Sequence, residues 1–219
     1  MNKINDIDFL DSTLARYGLK NLGAFHHNND DRHLKSIKTL VLVGPDEPKF
    51  WKIFIESYEF KASIQNPLDS WSCRVLNNVA EKLDAVSFFP FGGSERMPFV
   101  KWALRTGQTF VSPSKLLVHI DLGLSVSFRG ALGFAKRLNI SSKSKSSPCV
   151  GCSKPCLSSC PAGAISLENY DTAKCIEYLR EDENKSCNSG CLVRRSCPVG
   201  QEKRLPAQSQ FHMRAFLSS

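Results

Sequence analysis

Apolar residues recur at strand and helix spacing through the first part of the chain. Residues 39–43 form an apolar, β-branched run, which predicts a buried strand. Asn66 followed by Pro67 is typical of a helix start, with Asn66 as the N-cap, and residues 68–83 repeat apolar side chains at helical spacing. Helical and strand patterns alternate in this way along residues 1–140. They predict an α+β fold whose N-terminal domain is an α/β layer structure.

Further elements are predicted between this helix and a change in composition. The pattern predicts strands at residues 85–89, 115–120 and 125–128, and a short helix at residues 98–105. A stretch rich in Ser and Lys then follows at residues 141–148, which is typical of a linker. Almost all cysteines come after it.

The sequence therefore predicts four parts. They are an α/β domain over residues 1–140 that binds a cofactor or partner, a linker over 141–148, a cysteine-rich metal-binding domain over 149–205 and a C-terminal tail over 206–219.

Composition and charge narrow the function classes. The apolar content of 42%, with 14 Phe, suffices for a buried core, and no apolar run approaches the 18 residues of a membrane span. The N-terminus lacks the apolar stretch of a signal peptide, so we expect a cytoplasmic protein. The net charge of +8 suits an acidic partner. No basic run is interleaved with aromatics, so specific nucleic-acid binding is not expected.

Eight of the nine cysteines form two groups that each end in Cys-Pro-x-Gly. This degenerate repeat is typical of ferredoxins with two 4Fe–4S clusters, in which the cysteine before proline in one half ligates the cluster of the other half. Zinc and disulfides are the alternatives, but zinc ligands usually come as two separated pairs, and disulfides are rare in the cytoplasm. Cys73 lies outside these groups and is interpreted as a packed side chain. The grouped cysteines are Cys149, Cys152, Cys156, Cys160, Cys175, Cys187, Cys191 and Cys197.

The cysteine region resembles the ferredoxin-like iron–sulfur module of epoxyqueuosine reductases and of corrinoid-dependent reductive dehalogenases. The resemblance is greatest at Cys175-Ile176-Glu177-Tyr178-Leu179, and all eight ligand positions of the family are filled. It implies two 4Fe–4S clusters. The ligands that it implies are Cys149, Cys152, Cys156 and Cys197 for the first cluster, and Cys160, Cys175, Cys187 and Cys191 for the second.

A second resemblance covers residues 107–132, which are similar to a segment of cobalamin-handling domains. It implies a nitroreductase-like or cobalamin-processing type of fold and a bound corrinoid, with flavin as the second choice. The candidate cofactor-binding residues are His119, Phe91 and Arg129. For His119 and Phe91 the favoured interpretation is packing in the core, whereas Arg129 fits a cofactor contact and a local ion pair equally well.

The expected function is electron transfer through two 4Fe–4S clusters to a cofactor or to a redox protein, which acts as donor or acceptor. Corrinoid-dependent reductase or cobalamin-processing activity is the alternative. The chain lacks the Gly-Trp-x-Gly-Lys motif of epoxyqueuosine reductases, so that particular reaction is not expected. A binding module that uses metal only for folding is an alternative of another class. Arg194 and Arg195 either tune a cluster, dock an acidic donor or form a solvated surface.

Overall fold

The chain divides into two compact units, and each combines a central stretch with a terminal one. The first unit is Met1–Gln108 with Ser127–Ser144, and the second is Thr109–Val126 with Lys145–Ser219. Residues 141–144 of the predicted linker lie outside the described residues. A computed structural model describes residues 6–28, 30–140, 145–181, 186–201 and 205–217.

Helices and strands are mixed along the chain, which is compatible with the predicted α+β class. Short 3₁₀ helices occupy Arg32–Leu34, Pro155–Leu157 and Ser186–Ser189. The remaining elements are α1 (Asp6–Ala15), β1 (Leu19–His26), β2 (Thr39–Pro45), α2 (Lys49–Ile55), α3 (Tyr58–Lys61), α4 (Pro67–Lys82), β3 (Val86–Phe88), α5 (Phe99–Arg105), β4 (Thr109–Val111), β5 (Leu117–His119), β6 (Gly130–Phe134), α6 (Thr172–Glu181), α7 (Leu192–Arg195) and α8 (Pro206–Leu217).

The core of the first unit is a four-stranded antiparallel sheet in the order β1-β2-β6-β3. Every residue of β2 is buried, as its apolar sequence predicts for a strand covered on both faces. Val41 of β2 lies opposite Ala24 on one side and Leu132 on the other. Helices α1, α2 and α5 pack against the β1–β2 side, and α4 packs against β3 and β6.

Helix α4 begins at Pro67 as predicted, but its N-cap works differently. Asn66 adopts a left-handed conformation with φ of 50°, and its side chain makes no capping hydrogen bond. Proline at the first helical position lacks the N–H that would need a cap partner. The apolar face of the helix is buried as the spacing predicts, with Trp71, Val75 and Val79 in the core.

The prediction of a strand at residues 125–128 is wrong, because these residues are irregular and the strand starts at Gly130. Strand β6 was not predicted because it contains Gly130 and Gly133, and glycine has a low strand propensity. A Cβ at Gly133 would come within 2.8 Å of the Phe88 ring and 2.9 Å of Ile37. Glycine is therefore the residue that allows this central strand to pack so closely.

The second unit differs from the predicted cysteine-rich domain at both ends. The hairpin of β4 and β5 belongs to it, because Val118 and Leu124 share a core cluster with Cys156, Ile165 and Val193. The predicted tail contains α8, which packs against the 3₁₀ turn Ser186–Ser189. The predicted domain boundary at residue 140 therefore assigns the β4–β5 hairpin to the N-terminal domain, whereas the hairpin belongs to the second unit.

No helix among the described residues is long and apolar enough to pass through a lipid bilayer.

Candidate metal centres

Four cysteines converge on a first cavity within the second unit. The cavity encloses about 350 Å³ of space between atoms, part of it open to solvent, and most of its other lining side chains are apolar. Val118 and Leu124 contribute from the β4–β5 region. The 3₁₀ helix Pro155–Leu157 supplies one thiol. The cysteines that line the cavity are Cys149, Cys152, Cys156 and Cys197.

The other four grouped cysteines converge on a second cavity of similar size. It encloses about 370 Å³ on the same measure, and its lining includes Tyr170, Leu179 and Met213. Cys175 comes from helix α6, and Cys187 from the 3₁₀ turn Ser186–Ser189. The cysteines that line this cavity are Cys160, Cys175, Cys187 and Cys191.

The two sets of cysteines cross between the halves of the repeat. Cys160 follows the first three cysteines in sequence yet lines the second cavity, whereas Cys197 from the end of the motif lines the first. Helix α7 makes this crossing possible. It runs from Cys191, at the second cavity, towards Cys197, at the first, and it packs against the turn that carries Cys156.

Backbone N–H groups point at cysteine sulfurs in both sets. The N–H of Lys154 donates to the Sγ of Cys152 at 3.4 Å, and the N–H of Ala164 donates to the Sγ of Cys160 at 3.3 Å. Lys154 is itself left-handed, with φ of 57°, and Gly163 before Ala164 has φ of 60°. Such turns aim successive donors at one place, which favours negative charge on the sulfurs.

The environment of Cys149 in the first set disfavours ionisation of its thiol. Burial raises the pKa of Cys149, the hydroxyl of Ser147 lowers it, and the neighbouring Cys152, Cys156 and Cys197 raise it further. A thiol whose pKa is raised by burial and by other thiols becomes a thiolate most readily when a cation binds beside it.

Two thiols of the second set, those of Cys175 and Cys187, are affected in the same way. Burial raises the pKa of Cys175, a hydrogen bond with the Tyr170 hydroxyl lowers it, and nearby Cys191 and Cys160 raise it. Burial also raises the pKa of Cys187, and a hydrogen bond with the backbone of Leu192 acts in the opposite direction and lowers this pKa. The donor chemistry of these thiols therefore fits a bound group of positive charge.

All nine cysteines are free thiols, and none of them forms a disulfide. Within the described ranges, no group of three or more His, Cys, Asp or Glu side chains is placed to hold a metal ion. Each cavity nevertheless brings four thiols to one place, which is the number of iron corners that a 4Fe–4S cluster offers to its ligands.

Gly123 is a site residue that the sequence analysis missed. A Cβ at this position would lie 2.8 Å from the Sγ of Cys197 and 2.1 Å from the carbonyl oxygen of Val199, and its φ is +55°. The Asp-Leu-Gly turn at residues 121–123 was the available signal, because glycine at such a turn indicates a close approach of backbone. The turn after β5 thus lies directly against the thiol of Cys197.

Of the candidate cofactor-binding residues, Arg129 and Phe91 lie in the first unit and His119 lies in the second. Arg129 is buried, forms an ion pair with Asp69, donates from Nε to Ser72 Oγ at 3.1 Å, and stacks on the Phe91 ring at 5.0 Å. Burial lowers the pKa of Arg129, and Asp69 raises it. His119 is buried in the other unit, where its Nδ1 accepts a hydrogen bond from the N–H of Asp121 at 3.1 Å. Each of these contacts is a local packing contact.

No protein-family model, no curated protein and no solved structure matches the chain.

Proposed function

We propose that this chain is an electron-transfer protein that holds two 4Fe–4S clusters. The observation that carries the proposal is the convergence of eight cysteines on two separate cavities, four at each, in crossed order. A repeat of Cys-Pro motifs with this crossing is the arrangement that two-cluster ferredoxins use. The proposed ligands are Cys149, Cys152, Cys156 and Cys197 for the first cluster, and Cys160, Cys175, Cys187 and Cys191 for the second.

The residues around the thiols support a redox role. A 4Fe–4S cluster supplies one-electron chemistry when it is bound. The N–H groups of Lys154 and Ala164 stabilise negative charge on the cysteine sulfurs, and the apolar side chains of both cavities limit the access of water to the thiols. Val118 and Leu124 do so at the first cavity, and Leu179 and Val193 do so at the second.

The contacts of the first unit do not favour a corrinoid or flavin over a role in docking or scaffolding. The guanidinium of Arg129 contacts Asp69, Ser72 and the Phe91 ring, which agrees with the local ion pair that the sequence analysis left open beside a cofactor contact. We therefore propose electron transfer to a redox protein as the primary function. The basic net charge of +8 suits an acidic protein as the partner.

Anaerobic reconstitution with iron and sulfide tests the proposal. The protein should hold about eight irons and eight sulfides, and dithionite should give EPR signals of reduced 4Fe–4S clusters that reoxidise reversibly. Stoichiometric zinc without iron would contradict the proposal. Iron that cannot be reduced would point instead to a binding module that uses metal only for folding.

A further inference from the structure

A polar cleft lies beside the second set of cysteines and apart from both cysteine cavities. Its volume is about 380 Å³, which lies within the size range of small-molecule sites. Ser189 lies between Cys187 and Cys191 in sequence, and the two arginines lie between Cys191 and Cys197. The polar side chains that line the cleft are Ser125, Ser189, Arg194, Arg195, Gln201 and Ser209.

The cleft has the charge of an anion site. Among the residues that the structure describes, its lining contains two guanidinium groups and no carboxylate. Neither arginine takes part in an ion pair within the described residues, whereas Arg74, Arg105 and Arg129 each do. A guanidinium presents a planar fork of donors that matches phosphate and carboxylate oxygens.

The polar groups are held in place by contacts within the same unit. The Nη1 of Arg194 donates to the carbonyl oxygen of Leu124, which fixes one end of that guanidinium. The Nε2 of Gln201 donates to the carbonyl oxygen of Arg195 at 3.2 Å. Side chains fixed in this way lose less conformational entropy when a ligand binds.

Gly190 brings the two walls of the cleft together. A Cβ at this position would lie 2.7 Å from the Cβ of Ser209 and 3.5 Å from the Cδ of Arg195, and its φ is +119°. Helix α8 can therefore approach the turn Ser186–Ser189 closely enough to place Ser209 opposite the arginines.

We propose that this cleft binds a small molecule through its phosphate or carboxylate groups. The arginines neutralise the oxyanion, and the serine hydroxyls and the Gln201 amide supply further hydrogen bonds. A concave site with hydroxyls on several walls suits a small molecule better than the flatter surface of an acidic protein. The inference goes beyond electron transfer and does not depend on which metal fills the cysteine cavities.

Calorimetric titration of the reconstituted protein at low salt tests the cleft. The probes are inorganic pyrophosphate, citrate in a parallel arm to separate phosphate from carboxylate chemistry, and a polyglutamate peptide. At least one small anion should bind, and Arg195→Gln should weaken it about tenfold or more, since a hydrogen bond to a charged group contributes about 1.5 kcal/mol or more. Arg137→Gln, an exposed arginine of the other unit, is the matched control and should leave the dissociation constant unchanged.

Metal content on the same samples separates this inference from the proposed function. Loss of anion binding in Arg195→Gln at unchanged metal content supports the cleft. The inference is overturned if neither pyrophosphate nor citrate binds. It is also overturned if the polyglutamate peptide is the only probe that binds. Equal weakening by both arginine variants also overturns it, because that result would reflect net charge rather than a site.

Discussion

Gly123→Ala should damage the first centre and spare the second. The added methyl group would sit 2.1 Å from the carbonyl oxygen of Val199 and 2.8 Å from the Sγ of Cys197. Ordinary contact for such atoms begins near 3.4 Å, so the chain around Val199 would have to retreat by about 1.3 Å. Metal ligands tolerate errors of about 0.2 Å, so Cys197 cannot follow that shift and remain a ligand.

The cost of this substitution has two sources. Overpacking of a tight contact costs about 1–3 kcal/mol. A non-glycine residue in the left-handed region, where Gly123 lies with φ of +55°, adds about 1 kcal/mol. We therefore expect the variant to lose about 2–4 kcal/mol of stability, concentrated at the first cavity.

Iron analysis and EPR of the reduced, reconstituted variant measure the effect. Gly123→Ala should hold about four irons instead of eight and keep a single cluster signal. Gly92→Ala is the matched control, because Gly92 has φ of +67° with no atom within 4 Å of a Cβ, so it carries the backbone cost alone. If both variants retain eight irons and both signals, the close approach at Gly123 does not position a ligand.

Two further substitutions test other contacts. Tyr170→Phe removes the hydrogen bond to Cys175 and should lower the reduction potential of the second cluster by roughly 20–60 mV in an EPR-monitored titration, with the first unchanged; equal shifts in both clusters would contradict this reasoning. Glu59→Gln should lower the free energy of unfolding at pH 7 by about 2 kcal/mol, because Arg74 donates to the buried Glu59 at 2.5 and 2.9 Å. Unfolding followed by tryptophan fluorescence measures this loss, and the exposed Glu56→Gln is the control that should lose little. Because Arg74 lowers the pKa of Glu59, this difference should shrink as the pH falls below the ordinary value of 4.5; a difference that persists in acid would refute it.

The sequence correctly predicted those helices and strands in which the pattern of apolar residues matches the pattern of buried positions. The all-apolar strand β2 and the amphipathic helix α4 are of this kind, because burial and periodicity are properties of each segment alone. Strand β6 was missed because Gly130 and Gly133 have low strand propensity. Their small size is required by Leu76, Phe88 and Ile37, which come from distant parts of the chain.

The part of the candidate site that could be predicted from the sequence is the part that depends on the spacing of the cysteines. The positions of the eight grouped cysteines and the paired Cys-Pro motifs indicated two sets of ligands. The contribution of the β4–β5 hairpin was not predictable, because it depends on the packing of Val118 and Leu124 against residues some 30 to 80 positions away. The contact between Gly123 and Cys197 is of the same long-range kind.

The most direct test of the two-cluster account is the EPR spectrum and iron content of single cysteine variants after anaerobic reconstitution. Cys149→Ala and Cys197→Ala should lose the same signal, and Cys160→Ala and Cys187→Ala should both lose the other, because each pair lines one cavity. Cys73→Ser should retain both signals, since Cys73 lies in the other unit. The account is contradicted if Cys197→Ala loses the signal that Cys187→Ala loses and keeps the one that Cys149→Ala removes.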